Sequence, residues 1–119
     1  MTFLAVFLGG GLGSCCRYFT DLLLKKYLNL PITTLTINTL GSFMLGFIMV
    51  LSAGTPLYLL LGTGFCGGFT TFSTAMVEII KELTGRRPTW VLTLLAGQII
   101  LACTATLAGM NLAALIASA

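Results

Sequence analysis

The chain has 119 residues, 57% of them hydrophobic and 8% charged, with a net charge of +3. A soluble domain has roughly 25% charged residues, so an ordinary water-soluble fold is excluded and lipid is the expected solvent. There is no His, and Asp21, Glu78 and Glu82 are the only acids, so metal chemistry and most acid–base catalysis are poorly supplied. The small positive charge offers no basic patch for nucleic acid and reads as a topology signal.

Taken in order, the chain divides into four uncharged or nearly uncharged runs of the length that suits a hydrocarbon core of ~30 Å. The first covers residues 2–24 and is uncharged up to Arg17. A cleaved signal peptide would want a basic start and a small-residue cleavage site, and this run has neither. Lys25, Lys26 and Asn29-Leu30-Pro31 separate it from the second run, 31–53. Ser52-Ala53-Gly54-Thr55-Pro56 leads into the third, 57–80, and Lys81 to Pro88 leads into the fourth, 89–113. Pro31, Pro56 and Pro88 fall at or near run starts, where a missing N–H costs a helix nothing. The expectation is a single domain, 1–119, of four transmembrane helices with short loops. Small residues four apart mark a contact face on each helix: Gly9 and Gly13, Ser42 and Gly46, Gly64 and Gly68, Ala105 and Gly109. Cys15, Cys16, Cys66 and Cys103 lack C-x-x-C spacing and are expected to be small buried hydrophobes without disulfides.

The third run contradicts its own setting. "GFCGGFTTFSTA" at 64–75 puts three glycines, three threonines and a serine where a clean helix should be. Gly lowers helix propensity by about 0.8–1 kcal/mol relative to Ala. The hydroxyls can satisfy backbone groups that a helix would otherwise pair. Irregular backbone survives at membrane depth only when buried in protein or lining a water-filled cavity. The segment is expected to break near Gly67–Thr71, with carbonyls on one side and N–H groups on the other, as in transporters that hold ions at such breaks. An intact helix with a Gly packing face is the plainer alternative.

Other polar residues lie in the spans. Asn38 brings two amide donors, suited to an anion or to gluing helices together. Arg17 needs a partner or a wet cavity, with Asp21 at i+4 as the simple partner and an electropositive vestibule as the other reading. Gln98 is the amide of the fourth span. Phe65, Phe69 and Phe72 belong to the third, and a ring edge carries partial positive charge. Donors and ring edges without acceptors favour an anion over a cation.

Three blocks resemble the CrcB/Fluc family of small fluoride channels: "GGGLGSCCRY" at 9–18, "NTLGSFMLG" at 38–46 and "GFCGGFTTFST" at 64–74. The resemblance covers nearly the whole chain, and its third block is the most specific. It implies an all-α membrane protein of four transmembrane helices, the third broken mid-membrane, in an antiparallel dual-topology dimer. It implies passive export of cytoplasmic fluoride across the cell membrane, with no enzymatic activity. Carbonyls of Gly67 and Thr70 would hold a structural sodium ion at the dimer centre. Phe72 would turn its edge to fluoride, Asn38 would donate to the ion path with Ser73 and Thr74 nearby, and Arg17 would serve the vestibule or packing. Three positions depart from the family pattern. Ala75 stands where a second pore Phe is usual, and Phe69 where Leu is more common, so that Phe69 is a candidate replacement wall. Gln98, which the resemblance also places among the pore residues, aligns where a hydroxyl residue is more usual.

Two rivals remain. A small multidrug exporter needs a carboxylate in mid-span, whereas Asp21 and Glu78 lie near run ends. A pore-degenerate structural subunit fits Ala75 but not the clustered polar groups. Loop charge adds a further expectation. Lys25, Lys26, Lys81, Arg86 and Arg87 would all sit on one face and no Lys or Arg on the other, which implies fixed topology. The partner in the dimer is then either a second copy or an oppositely oriented paralogue.

Overall fold

The computed structural model describes residues 2–28, 30–85 and 88–119. Arg86 and Arg87, counted among the loop charges, and Asn29 of the first loop lie outside the described residues. Helix α1 spans Thr2–Leu24, α2 Leu30–Leu51 and α5 Pro88–Ser118. By length and composition these three can cross a membrane. Their outer faces carry large apolar side chains that only lipid or another subunit would cover, such as Phe3 at 85% exposure. The stretch between α2 and α5 is different. It winds as a π-helix over Tyr58–Cys66 and continues as an α-turn over Gly67–Phe69, together called α3. Thr70 then turns extended (φ −78°, ψ 159°), and α4 begins only at Ser73, running to Thr84.

The element ends have local causes. Helix α2 stops at Leu51 because the Ser52 hydroxyl donates to the Ile48 carbonyl at 2.6 Å and Gly54 adopts a positive φ of 78°. Only glycine takes that conformation cheaply. Helix α5 continues past Ala113 to Ser118, since no Gly, Pro or charge follows to stop it.

The helices pair α1 with α3 and α2 with α5, and α4 leans on α5 and α2. Both main pairs depend on missing side chains. A Cβ on Gly9 would strike the Leu60 carbonyl oxygen, one on Gly13 that of Phe65, and one on Gly68 that of Gly10. Across the other pair, a Cβ on Gly46 would strike the Thr106 oxygen and one on Gly109 that of Phe43. Without a hydrophobic force between helices in lipid, such close backbone approach is what generates van der Waals attraction. The core behind these contacts holds Ile37, Cys66, Phe69, Ala75, Leu94 and Ala113. The cysteines correct the sequence expectation in part. All four are free, but only Cys66 is buried; Cys15, Cys16 and Cys103 are exposed, where a small apolar thiol suits lipid as well as a core.

Gly109→Leu should therefore lower the melting temperature of the detergent-solubilised protein, by the equivalent of about 1–3 kcal/mol or more. Gly11→Ala, whose Cβ would meet nothing within 4 Å, should leave it unchanged or slightly raised. Equal melting of the two variants, followed by circular dichroism, would remove the close-approach account.

Candidate functional site

The site is the interruption between α3 and α4. In a continuous helix the Thr71 N–H would donate to the Gly67 carbonyl. Here it donates to Asn38 Oδ1 at 2.8 Å, while Asn38 Nδ2 donates to the Thr71 carbonyl at 2.9 Å. One side-chain amide on α2 thus pairs both backbone groups of Thr71, as a neighbouring strand would. The other hydrogen of Asn38 Nδ2 goes to Gln98 Oε1 of α5 at 3.2 Å. Thr70 N–H still closes on the Cys66 carbonyl at 3.0 Å, and its hydroxyl donates to the same oxygen at 2.9 Å. From α1, Ser14 Oγ donates to the Gly68 carbonyl and Arg17 Nη1 to the Thr70 carbonyl, each at 3.4 Å. At the start of α4, Thr71 Oγ1 accepts from Thr74 N–H at 3.3 Å. The carbonyl end of α3 and the N–H end of α4 carry opposite partial charge at the interruption.

Two cavities flank it. The larger, about 670 Å³, is lined by Asn38, Gly67, Thr70, Phe72, Ala75 and Gln98 among others. Among the described residues, its lining contains no Asp, Glu, Lys or Arg. Phe72, one of the lining residues, is 77% exposed. The smaller cavity, about 220 Å³, brings Arg17 together with Thr71 and Thr74. Ser73 is exposed and lines neither. Phe69 is 3% exposed and stacks on Phe65 with ring centroids 6.0 Å apart. It is the last helical residue before the break, fills the core against Gly41 and does not line the larger cavity.

The simple partner for Arg17 is also corrected. Asp21 Oδ2 is taken by Lys25 Nζ at 2.8 Å, one turn further on and beyond the end of α1. That hydrogen bond, together with the Asp21 charge, holds the Lys25 ammonium above the ordinary lysine range. Lys25 stays charged, and Arg17 is left to the Thr70 carbonyl. Glu78 is buried on α4, where its Oε1 accepts from the Thr34 hydroxyl of α2 at 2.7 Å. Sequence reasoning placed Glu78 only by its distance from a run end. It also read Ser42 as a packing residue, yet Ser42 lines the larger cavity one turn along α2 from Asn38, as does Tyr58 on α3. The i+4 spacing from Asn38 was the signal for Ser42; Tyr58 had none.

The family model described as CrcB-like protein, Camphor Resistance (CrcB), matches residues 4–110. The chain belongs to the CrcB-like family. Relatives agree over most of its length. A protein of Yersinia pseudotuberculosis serotype I (strain IP32953) named fluoride-specific ion channel FluC 1 is 41% identical over 118 residues, 94% of this chain and 90% of its own. A protein of Rhodococcus jostii (strain RHA1) named fluoride-specific ion channel FluC 2 is 44% identical over 87 residues, 73% of this chain and 76% of its own. One of Chlorobium phaeobacteroides, named fluoride-specific ion channel FluC, is 42% identical over 104 residues, covering 82% and 81%. Membership in the CrcB-like family and three helices able to span a bilayer make this a multi-pass membrane protein.

Proposed function

We propose that this CrcB-like chain is a fluoride-selective channel of the cell membrane that lets cytoplasmic fluoride leave down its gradient. Hydrogen fluoride enters from acid surroundings and dissociates inside, and a passive pore relieves the trapped anion. The observation that carries this reading is 41% identity over 94% of the chain to a protein named as a fluoride-specific ion channel. The chemistry of the larger cavity supports it. Amide and hydroxyl groups and an exposed Phe72 ring line that cavity, and no carboxylate does. A cation-exporting multidrug transporter needs a carboxylate that its cargo can reach. Glu78, already engaged by Thr34, lies outside the cavity lining.

The pore reading makes the interruption at Thr70–Phe72 a mid-membrane break and the molecule an antiparallel dimer. An isolated chain leaves Phe72 and the open side of the cavity without a second wall, and a partner would supply it. The structural sodium ion fits the same arrangement. Gly67 loses its helical donor to Asn38, is exposed, and has open space beside its Cα. Thr70 offers a carbonyl whose second lone pair is free of Arg17. Both are neutral oxygens of the kind hard cations take. Two per chain are too few to cage an ion, whereas two chains together offer four. The sodium would tie the carbonyl ends of the two breaks together.

The partner is a second copy or an oppositely oriented paralogue. The loop charges favour the paralogue, since a chain that inserts both ways needs balanced loops. A heterodimer would also tolerate Ala75, which is buried where a second ring would stand.

In liposomes containing the purified protein, fluoride efflux should be rapid and chloride efflux negligible; equal efflux of both ions, or neither, would sink the reading. Replacing sodium by potassium or lithium should slow efflux and loosen the dimer on size-exclusion chromatography, and indifference to the cation would leave the break without an ion. A C-terminal tag should be reachable only from outside intact cells; a comparable signal from both sides would restore the homodimer.

A further inference from the structure

The larger cavity does not end at the interruption. Its wall runs from Thr70 back through Cys66, Thr63 and Gly62 to Tyr58, whose N–H donates to the Thr55 carbonyl of the 52–56 loop. Along this reach two hydroxyl side chains of α3 line the cavity, those of Tyr58 and Thr63. They share it because α3 is π-wound there. In an α-helix, positions five apart lie about 140° from one another round the axis. A π-helix closes its turn at i→i+5, which brings such positions back to one side. The winding also leaves the Thr63 hydroxyl free. On the α-helices Thr36, Thr39, Thr104 and Thr106 each donate to the carbonyl four residues back. Among the described residues Thr63 Oγ1 has no partner, and Thr63 is exposed. The Tyr58 ring lies over Gly62, where a Cβ would come within 3.2 Å of it. Its hydroxyl likewise has no partner among the described residues, and since no buried side-chain oxygen there is left unpaired, it meets open space.

We propose that Tyr58 and Thr63 form a second anion station, between the interruption and the 52–56 loop, where a small anion is held by two hydroxyl donors. The inference rests on the fluoride-channel reading and extends its path beyond the break. The neighbouring walls along this reach include Leu45, Ile99 and Ala102, which offer an anion no donor. A conducting path replaces a lost hydration shell at several weak sites rather than at one strong one. A phenol is more acidic than an aliphatic alcohol, so its O–H is the stronger donor, and a hydrogen bond to an anion is charge-assisted. A hydroxyl without an internal acceptor gives nothing up when the anion arrives. A helical threonine bonded to its own backbone would first have to break that bond. The π-winding thus accounts for both features of the station, the shared side and the unengaged donor.

The test measures fluoride efflux from proteoliposomes. Tyr58→Phe and Thr63→Val each remove one hydroxyl at nearly constant shape, and each should slow efflux several-fold. The double variant should slow it by roughly tenfold or more, the scale of a lost hydrogen bond to a charged group. Thr63→Ser keeps the donor and should conduct close to the wild-type rate. Melting temperature and elution volume should stay at wild type throughout, because neither hydroxyl is bonded to another described residue. A conducting wild type with undiminished efflux through the double variant overturns the station and leaves the channel reading standing. If the double variant does not assemble, undiminished efflux through both single variants overturns it equally. Efflux lost together with melting temperature or with the elution volume would make the hydroxyls structural, and that result also overturns it. A wild-type chain that passes no fluoride removes the functional reading and the station together.

Discussion

Inside a bilayer there is no water to pair with an unbonded peptide group, and each such group costs several kcal/mol. That constraint governs the middle of this molecule. Between Phe69 and Ser73 the chain gives up its own helical hydrogen bonds, and the neighbouring helices must replace them. Asn38 replaces the pair at Thr71, Ser14 reaches Gly68, Arg17 reaches Thr70, and the Thr70 hydroxyl turns back on Cys66. Two helices, α1 and α2, thus converge on Gly68, Thr70 and Thr71. The glycine contacts belong to the same logic, because Ser14 is a short side chain and touches the Gly68 carbonyl only where Gly13 and Gly68 let α1 and α3 approach backbone to backbone.

The electrostatic consequence is a division of labour around the break. The carbonyl end of α3 has one positive partner, Arg17 on the Thr70 carbonyl. Gly67, Thr70 and the Gln98 side chain line the space where Phe72 stands exposed, and Thr74 at the start of α4 lines the adjoining one. Among the described residues, the lining of that space carries no formal charge of either sign. Such a surface can hold an anion by directed hydrogen bonds yet hold it weakly enough to release it, which a conducting pore requires. A fixed cation there would bind more tightly and pass the ion less readily. Arg17 is instead set in the adjoining cavity with Thr71 and Thr74.

Much of the architecture is legible in the sequence because lipid is a demanding solvent. Run length, the charges between runs and the placement of proline are direct readouts of hydrocarbon thickness and of where water begins. The packing faces follow from glycine and alanine at four-residue spacing, since only small side chains permit the approach. Even the weakness of the segment around Gly67–Thr71 is visible, because glycine and threonine clusters oppose an unbroken helix whatever surrounds them.

Direction and partnership were decided by the folded chain. Phe69 and Phe72 are three residues apart and look equivalent in the sequence, but the turn at Thr70 sends one into the core and leaves the other in the cavity. Asp21 is spaced to pair with either Arg17 or Lys25, and only the approach of α3, which offers Arg17 a carbonyl, settles the choice. Asn38 and Gln98 are both amides in spans, and nothing local says that they pair. Sixty residues separate them, so their mutual hydrogen bond exists only once α2 packs on α5. Local physics, propensity and solvent, set the helices and the weak point in the sequence itself; the assignment of each donor to an acceptor needed the tertiary structure, because a hydrogen bond is satisfied by whichever group the fold brings within 3 Å.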